Sequence, residues 1–289
     1  MTSNLSNIFF IQDFFREELL GGAESNDSVL ISHLSKKYSI KKIKSHSLTG
    51  EMLENNKKEL FIFSNFTLMP VEIVNFVAKN NKYIIYEHDH KYVNTRDPSR
   101  FKDFLIPKES IINYDFYKNA IAVIVLSKVC KKILEDNLNL NNIFSIGSSL
   151  WSKSKFDYLR ALSSSPKKQK YAVLNSGNPV KGRLDAIRFC EKNNLEYTLV
   201  GSNNERDFLK HLSTFETLIF FPQVLETFCR LAAEAKMLNC SLLTKARLLG
   251  FYSEECSKLK GEKLIKDLEH RVGAALELFD NLIVGAIDK

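Results

Sequence analysis

The sequence predicts an α/β protein made of two Rossmann-like domains whose parallel sheets face a central cleft. Three observations predict it. Apolar runs of strand length recur along the chain, and they are continuous rather than alternating, as in strands covered on both faces. Most of these runs are separated by stretches with helical spacing, the alternation that builds parallel sheets. Between Trp151 and Tyr171 the pattern lapses into "SKSKFDYLRALSSSPKKQK", a Ser-, Lys- and Pro-containing stretch of linker character. The expected organisation is a first domain over 1–155, a linker over 156–167 and a second domain over 168–289.

In chain order, "NIFFIQDF" reads as the first strand and "DSVLISHLSKKY" as the helix behind it. "KKYSIKKIKS" reads as a helix end and a strand with solvated lysines. The strand "ELFIFS" leads to the helix "VEIVNFVAKNN", "KYIIYE" is the next strand, and "AIAVIVLS", "KVCKKILEDNL" and "NIFSIG" complete the first domain as strand, helix, strand. The second domain reads as "YAVLNSG", the helix "RLDAIRFCEKNN", the strands "YTLVGS" and "TLIFFP", the helix "CRLAAEAKML" and the strand "SLLT". The closing helix "EHRVGAALELFDNLI" leaves little chain to cross back onto the first domain.

Composition narrows the function classes. With 289 residues, 44% hydrophobic and 26% charged, the chain is ordinary globular protein of two-domain length. Its longest apolar runs fall far short of the ~20 residues that span a bilayer. The N-terminus has no basic region, sustained apolar run and cleavage site in sequence, so a cytoplasmic protein is expected. Cys130, Cys190, Cys229, Cys240 and Cys256 stand singly, without Cys-x-x-Cys spacing, and read as buried thiols. The net charge of +7 is compatible with a phosphorylated ligand, an anionic membrane or nucleic acid, but abundant Asn, Lys and Ile also produce it without any of these.

Ligands of open parallel sheets bind beyond the carboxyl ends of the strands. Those positions hold "LLGGAES" with Gly21 and Gly22, "HDH" from His88, "NPVKG" after Ser176 and Gly177, "SNN" after Gly201, and "QVLETF" ending in Thr227 and Phe228. In "ETFCRLAAE" one carboxylate, Glu226, stands where strand gives way to helix, and a second, Glu234, stands inside a small apolar helix. A buried carboxylate needs a partner. Thr227 is an acceptable N-cap, and the helix N-terminus behind it would be an anion site. The plainer alternative makes Glu234 a partly exposed helix residue with an (i, i+4) contact.

"FFPQVLETFCRLAAEAKMLNC" resembles the Glu-x7-Glu segment of retaining GT-B glycosyltransferases, of the family 4-like type. "GGAE" resembles that family's Gly-rich loop, His88-Asp89 its strand-end His, and Lys181-Gly182 the Lys-Gly that holds the diphosphate. The resemblance spreads over both domains. It implies transfer of a hexose, with retention, from a nucleoside diphosphate sugar to a glycan or lipid-linked glycan acceptor. The nucleotide sugar is a co-substrate, and neither cofactor, metal nor nucleic acid is implied. Glu226, Lys181 and His88 would be catalytic. Gly21, Gly22, Ser176, Gly201, Thr227, Phe228 and Glu234 would bind donor, Glu226 at the sugar and Glu234 at the ribose. Ser176 stands where the family carries an Arg, and Thr227-Phe228-Cys229 stands for its Gly-Phe-Gly.

Other chemistries find less support. His88 and His90 form a His-x-His without further ligands of metal spacing. "GNPVKGRL" lacks the Lys-Ser/Thr of a triphosphate loop, and no Gly-x-Ser-x-Gly elbow occurs. An epimerase would need more acids and bases at the strand ends. A non-catalytic nucleotide- or glycan-binding module on the same fold, and contact of "KKYSIKKIKS" with a membrane surface, remain as alternatives.

Overall fold

The computed structural model describes residues 6–288. The chain divides into two compact units, Met1–Trp151 with Arg271–Lys289, and Ser152–His270. The reading of the N-terminus falls in part on residues 1–5, outside the described residues. Among the described residues no helix is long and apolar enough to cross a membrane.

The first unit runs β1 (Asn7–Gln12), α1 (Gly22–Leu34), β2 (Ser39–Lys44), α2 (Gly50–Asn55), β3 (Leu60–Phe63), α3 (Val71–Asn80), β4 (Lys82–Tyr86), α4 (Tyr114–Lys118), β5 (Ala122–Val125), α5 (Lys128–Leu138) and β6 (Ile143–Ser145). Its six strands lie in the order β2-β1-β3-β4-β5-β6, and every pairing is parallel. β3 and β5 are buried along their whole length, which is why they read as unbroken apolar runs.

The second unit runs α6 (Lys153–Ser163), β7 (Gln169–Leu174), α7 (Arg183–Lys192), β8 (Thr198–Val200), α8 (Glu205–Leu212), β9 (Phe215–Phe220), α9 (Arg230–Met237) and β10 (Ser241–Thr244), then enters α10 (Gly261–Ile287). Its sheet is parallel in the order β10-β9-β7-β8. Val173 of β7 pairs with Ile219 of β9, so the two strands end nearly level and their following loops emerge side by side. Beneath them Val173, Ala186, Cys190 and Ile219 pack as one buried cluster.

Four expectations are corrected. The expected linker is largely helix. Ser152 caps α6 by accepting from the Lys155 amide at 3.2 Å, and Phe156 and Leu159, three residues apart, are buried on one stripe beneath the polar face. The closing helix starts earlier than expected. Leu264, Ile265 and Leu268 bury within the second unit, while Val272, Ala275, Phe279, Ile283 and Ala286 belong to the first. There Asp280 receives Lys37 at 2.7 Å and lies 3.0 Å from His33. "GGAE" is not a free loop: Gly21 is the extended N-cap of α1 and Gly22 its first residue. Nor is Thr227 a helix N-cap. Glu226–Phe228 is drawn into an extended pairing with 248–251, and α9 starts at Arg230 behind a left-handed Cys229.

Candidate functional site

In the second sheet the strands after β7 run outward in both directions, β8 on one side and β9 then β10 on the other. The order therefore reverses between β7 and β9, and ligands of open α/β sheets bind in the crevice at that point. The loop leaving β7 carries Ser176 and Lys181; the loop leaving β9 carries Glu226.

The two loops are tied together. Asn178 accepts from the Val180 amide at 3.1 Å and starts the single 3-10 turn that ends in Lys181. Gln223 of the β9 loop donates its amide to Val180 O at 2.8 Å. Gly182 follows at φ +65°, with its Cα packed so closely on the Phe221 carbonyl that a Cβ would be driven into it. Only glycine satisfies both demands. On this frame Lys181 Nζ donates to Glu226 Oε1 at 2.7 Å, with the lysine side chain one-third exposed and the carboxylate less so. Glu226 is held in turn by its backbone: its amide donates to Leu248 O and its carbonyl accepts from the Gly250 amide, each at 2.9 Å.

Phe228 continues this extended segment, its ring buried edge-on against Phe251, so only its backbone borders the loop. Thr227 lies between them, half-buried. Burial, with Glu226 nearby, pushes the Cys229 thiol well above its ordinary value, so it is no nucleophile at neutral pH. Glu234 is buried in α9, with Oε1 3.5 Å from Arg230 and 3.9 Å from Lys155. The (i, i+4) contact anticipated in sequence is therefore present, but on a buried residue. Ser176 turns its hydroxyl onto its own loop, accepting from the Asn178 amide at 3.2 Å. Arg183, the first residue of α7, reaches back to Asn175 Oδ1 at 2.7 Å. Both border an open depression of about 270 Å³ with Asn178, Gly182, Asp185 and Gln223; Lys181 and Glu226 are outside its walls. Gly201, after the edge strand β8, has a packing reason of its own: a Cβ there would lie 2.8 Å from Asn175 O.

The remaining candidates lie in the first unit, where the order reverses between β1 and β3. His88, following β4, is buried with Nε2 3.1 Å from Asp27 Oδ1, and Asp27 also accepts from Ser64 Oγ at 2.5 Å. Glu24, in the first turn of α1 beside Gly21, has its carboxyl pushed up by burial and by Asp27. His90 does not join His88: it adopts φ 54° and sets Nδ1 3.0 Å from the Tyr92 hydroxyl. Among the described residues no group of three or more His, Cys, Asp or Glu is placed to hold a metal ion.

Sequence reasoning missed Lys155, Arg230 and Asp27. Arg230 was legible as the residue one turn before Glu234. Lys155 and Asp27 were not, because they reach Glu234 and His88 from other elements.

No protein-family model and no curated protein matches this sequence. Solved structures match in fold. The catalytic domain of starch synthase IV from Arabidopsis thaliana, bound to ADP and acarbose, is 9% identical with a TM-score of 0.56, covering 99% of this chain and 100% of its own. Anabaena HepE in complex with UDP and glucose is 11% identical with a TM-score of 0.52, covering 96% and 100%. The UDP-forming α,α-trehalose-phosphate synthase from Burkholderia vietnamiensis is 7% identical with a TM-score of 0.56, covering 98% and 93%. At such identities the likeness establishes the fold: α/β, two units with parallel sheets, the GT-B fold.

Proposed function

We propose that this chain is a cytoplasmic hexosyltransferase that moves a sugar from a nucleoside diphosphate sugar to the hydroxyl of a glycan or lipid-linked glycan, with retention and without a metal ion. The observation that carries the reading is the meeting of Lys181 and Glu226 at the reversal between β7 and β9. A cation beside a carboxylate suits a ligand that is anionic at one end and hydroxyl-rich at the other. Lys181 stabilises the departing diphosphate, whose negative charge grows as its bond to the anomeric carbon breaks. Glu226 accepts hydrogen bonds from the sugar and favours the positive charge at that carbon. The new bond forms to the acceptor oxygen, and the acceptor proton ends on the released nucleotide. Glu234 accepts from the ribose hydroxyls. Ser176, Gly201, Thr227 and Phe228 contribute backbone to the donor site. In the first unit the reading gives His88 a hydroxyl to hold and Gly21 and Gly22 a close backbone approach to ligand.

A second reading, a binding module with little or no turnover, is favoured by one observation: Ser176 supplies no charge and spends its hydroxyl on Asn178. Incubation with UDP-, GDP- and ADP-sugars and a panel of glycan acceptors, with and without a chelator, separates the two. Acceptor-dependent nucleotide release that survives the chelator is expected. Tight binding without release under any acceptor would establish the module instead, and loss of release with the chelator would overturn metal independence.

A further inference from the structure

Four consecutive residues of α1, Glu24 to Asp27, are polar and buried. Three of them have partners. Ser25 Oγ donates to Gly21 O at 2.7 Å, and Asn26 Oδ1 accepts from the Ser149 hydroxyl and the Leu150 amide, each at 2.7 Å. Asp27 accepts from Ser64 Oγ at 2.5 Å and lies 3.1 Å from His88 Nε2. Glu24 is the exception. It is only 6% exposed, yet its carboxyl has its own backbone amide as donor and takes no hydrogen bond or ion pair from any other described residue. Gly21 is what admits it: a Cβ at residue 21 would run into Glu24 Oε2, so the carboxyl rests on the bare Cα of the residue that caps the helix.

A buried carboxyl without a partner costs free energy, and its surroundings raise the cost. Burial pushes the carboxyl up, and Asp27 and Asp89 push the same way against the pull of His88. The position is also one where a ligand is expected. α1 leaves β1 where the strand order reverses between β1 and β3, and ligands of open sheets bind at such a reversal. The chemistry around it restricts what that ligand is. Glu24, Asp27 and Asp89 together repel a phosphate or a carboxylate, and among the described residues no group of three or more His, Cys, Asp or Glu is placed to hold a metal ion. A hydroxyl suits the place, because it donates to a carboxylate without bringing charge.

We propose that Glu24 is a binding residue for an uncharged, hydroxyl-rich acceptor: its carboxyl receives an acceptor hydroxyl beyond the carboxyl end of β1, and a phosphorylated sugar is excluded there. This rests on the acceptor half of the reading given above, to which it adds the chemical class of the group bound by the first unit.

The test has a stability arm and a binding arm, both on the full chain. A residue whose partner is the ligand is dispensable to the empty fold, so Glu24→Gln, which keeps the shape and drops the charge, should raise the melting temperature by about 2 °C or more. A fall would make Glu24 a helix-capping residue and overturn the proposal. In the binding arm, saturation-transfer NMR compares methyl α-glucoside, methyl α-mannoside and myo-inositol with the 6-phosphates of glucose and mannose. Wild type should bind at least one neutral probe about tenfold better than either phosphate. Glu24→Ala should weaken that probe about tenfold, the value of one hydrogen bond to a charged acceptor. A phosphate bound as well as the neutral probes, a neutral probe unaffected by Glu24→Ala, or no probe bound by wild type would each overturn the proposal. Should Glu24→Ala fail to give a cooperative melt, Glu24→Gln decides: about threefold weaker binding is expected, and unchanged binding counts against the proposal. Calorimetry with UDP and ADP keeps the two readings apart, since a wild type that binds neither nucleotide would sink the donor reading while the sugar probes still decide Glu24.

Discussion

Glu226 and Lys181 pair at 2.7 Å, and a diphosphate sugar would have to insert into that contact. Removing the carboxylate therefore acts in opposite directions on two ligands. Glu226→Ala releases Lys181 for phosphate, so a bare nucleoside diphosphate should bind about two- to fivefold more tightly, the range of a part-exposed ion pair. The same variant should bind the complete donor more weakly and turn it over slowly, because sugar hydroxyls lose their acceptor. Calorimetry with donor and nucleotide on both proteins checks this; equal loss for both ligands would make Glu226 a loop support. Lys181→Ala should lower kcat by more than it raises the donor dissociation constant, since the ammonium meets the greatest charge as the leaving group departs. Single-turnover rates compared with equilibrium binding separate the two quantities. Both residues were legible in the sequence because each stands in the loop that follows an apolar strand. That Thr227 caps no helix was not, because the segment 248–251 that pairs with its neighbours lies outside any local pattern.

At the scale of elements, the loops after β7 and β4 carry distinct liabilities. Gly182→Ala would place a Cβ at φ +65° against the Phe221 carbonyl, combining backbone strain with overpacking. A loss of about 2–4 kcal/mol in chemical denaturation is expected, together with lost nucleotide binding as the Lys181 turn shifts. The segment after β4 sets an acid limit. Burial alone would raise the Glu87 carboxyl, but the Lys91 ammonium at 2.7 Å and the Tyr117 hydroxyl hold it down at about 2, below its usual 4.5. Burial pushes His90 from 6.5 down to about 4, against the pull of Glu87 and Asp89. Both values are depressed, so each contribution is complete above the unfolded value and is lost as pH falls. Melting temperature should decline first between pH 6.5 and 4 through His90, then further below 4.5 through Glu87. His90→Asn, which tolerates the left-handed backbone, should flatten the upper part of that decline in calorimetric scans. The short helices α2 and α4 offer no usable period, since five or six residues span less than two turns.

For the whole molecule, α10 is the element whose residues are divided between the units. Phe279 is fully buried in the first unit and meets Tyr86 edge-on at 5.1 Å between ring centres. Phe279→Ala should therefore cost about 3–5 kcal/mol, the range for emptying an aromatic site in a core. Denaturant unfolding followed by circular dichroism measures it; a cost below 1 kcal/mol would mean that the last helix merely rests on the surface. The expected boundary at 168 failed because a boundary drawn from composition follows the polar face of a helix. Only the buried stripe of Phe156 and Leu159 shows which side of the boundary the segment joins.

Local pattern is enough for the α/β class, the parallel strands and the loops in which Lys181 and Glu226 stand. These depend on burial periodicity and on which residues follow a strand, both of which are local. Tertiary structure alone decided which strands are neighbours, and hence that the β7 and β9 loops share one crevice. It also decided that Glu226–Phe228 extends along 248–251 where Thr227 was expected to cap a helix, and that Asp27 lies 3.1 Å from His88. Each of these is a pairing across long stretches of chain. Its free energy comes from excluding water between surfaces that no window of sequence contains together.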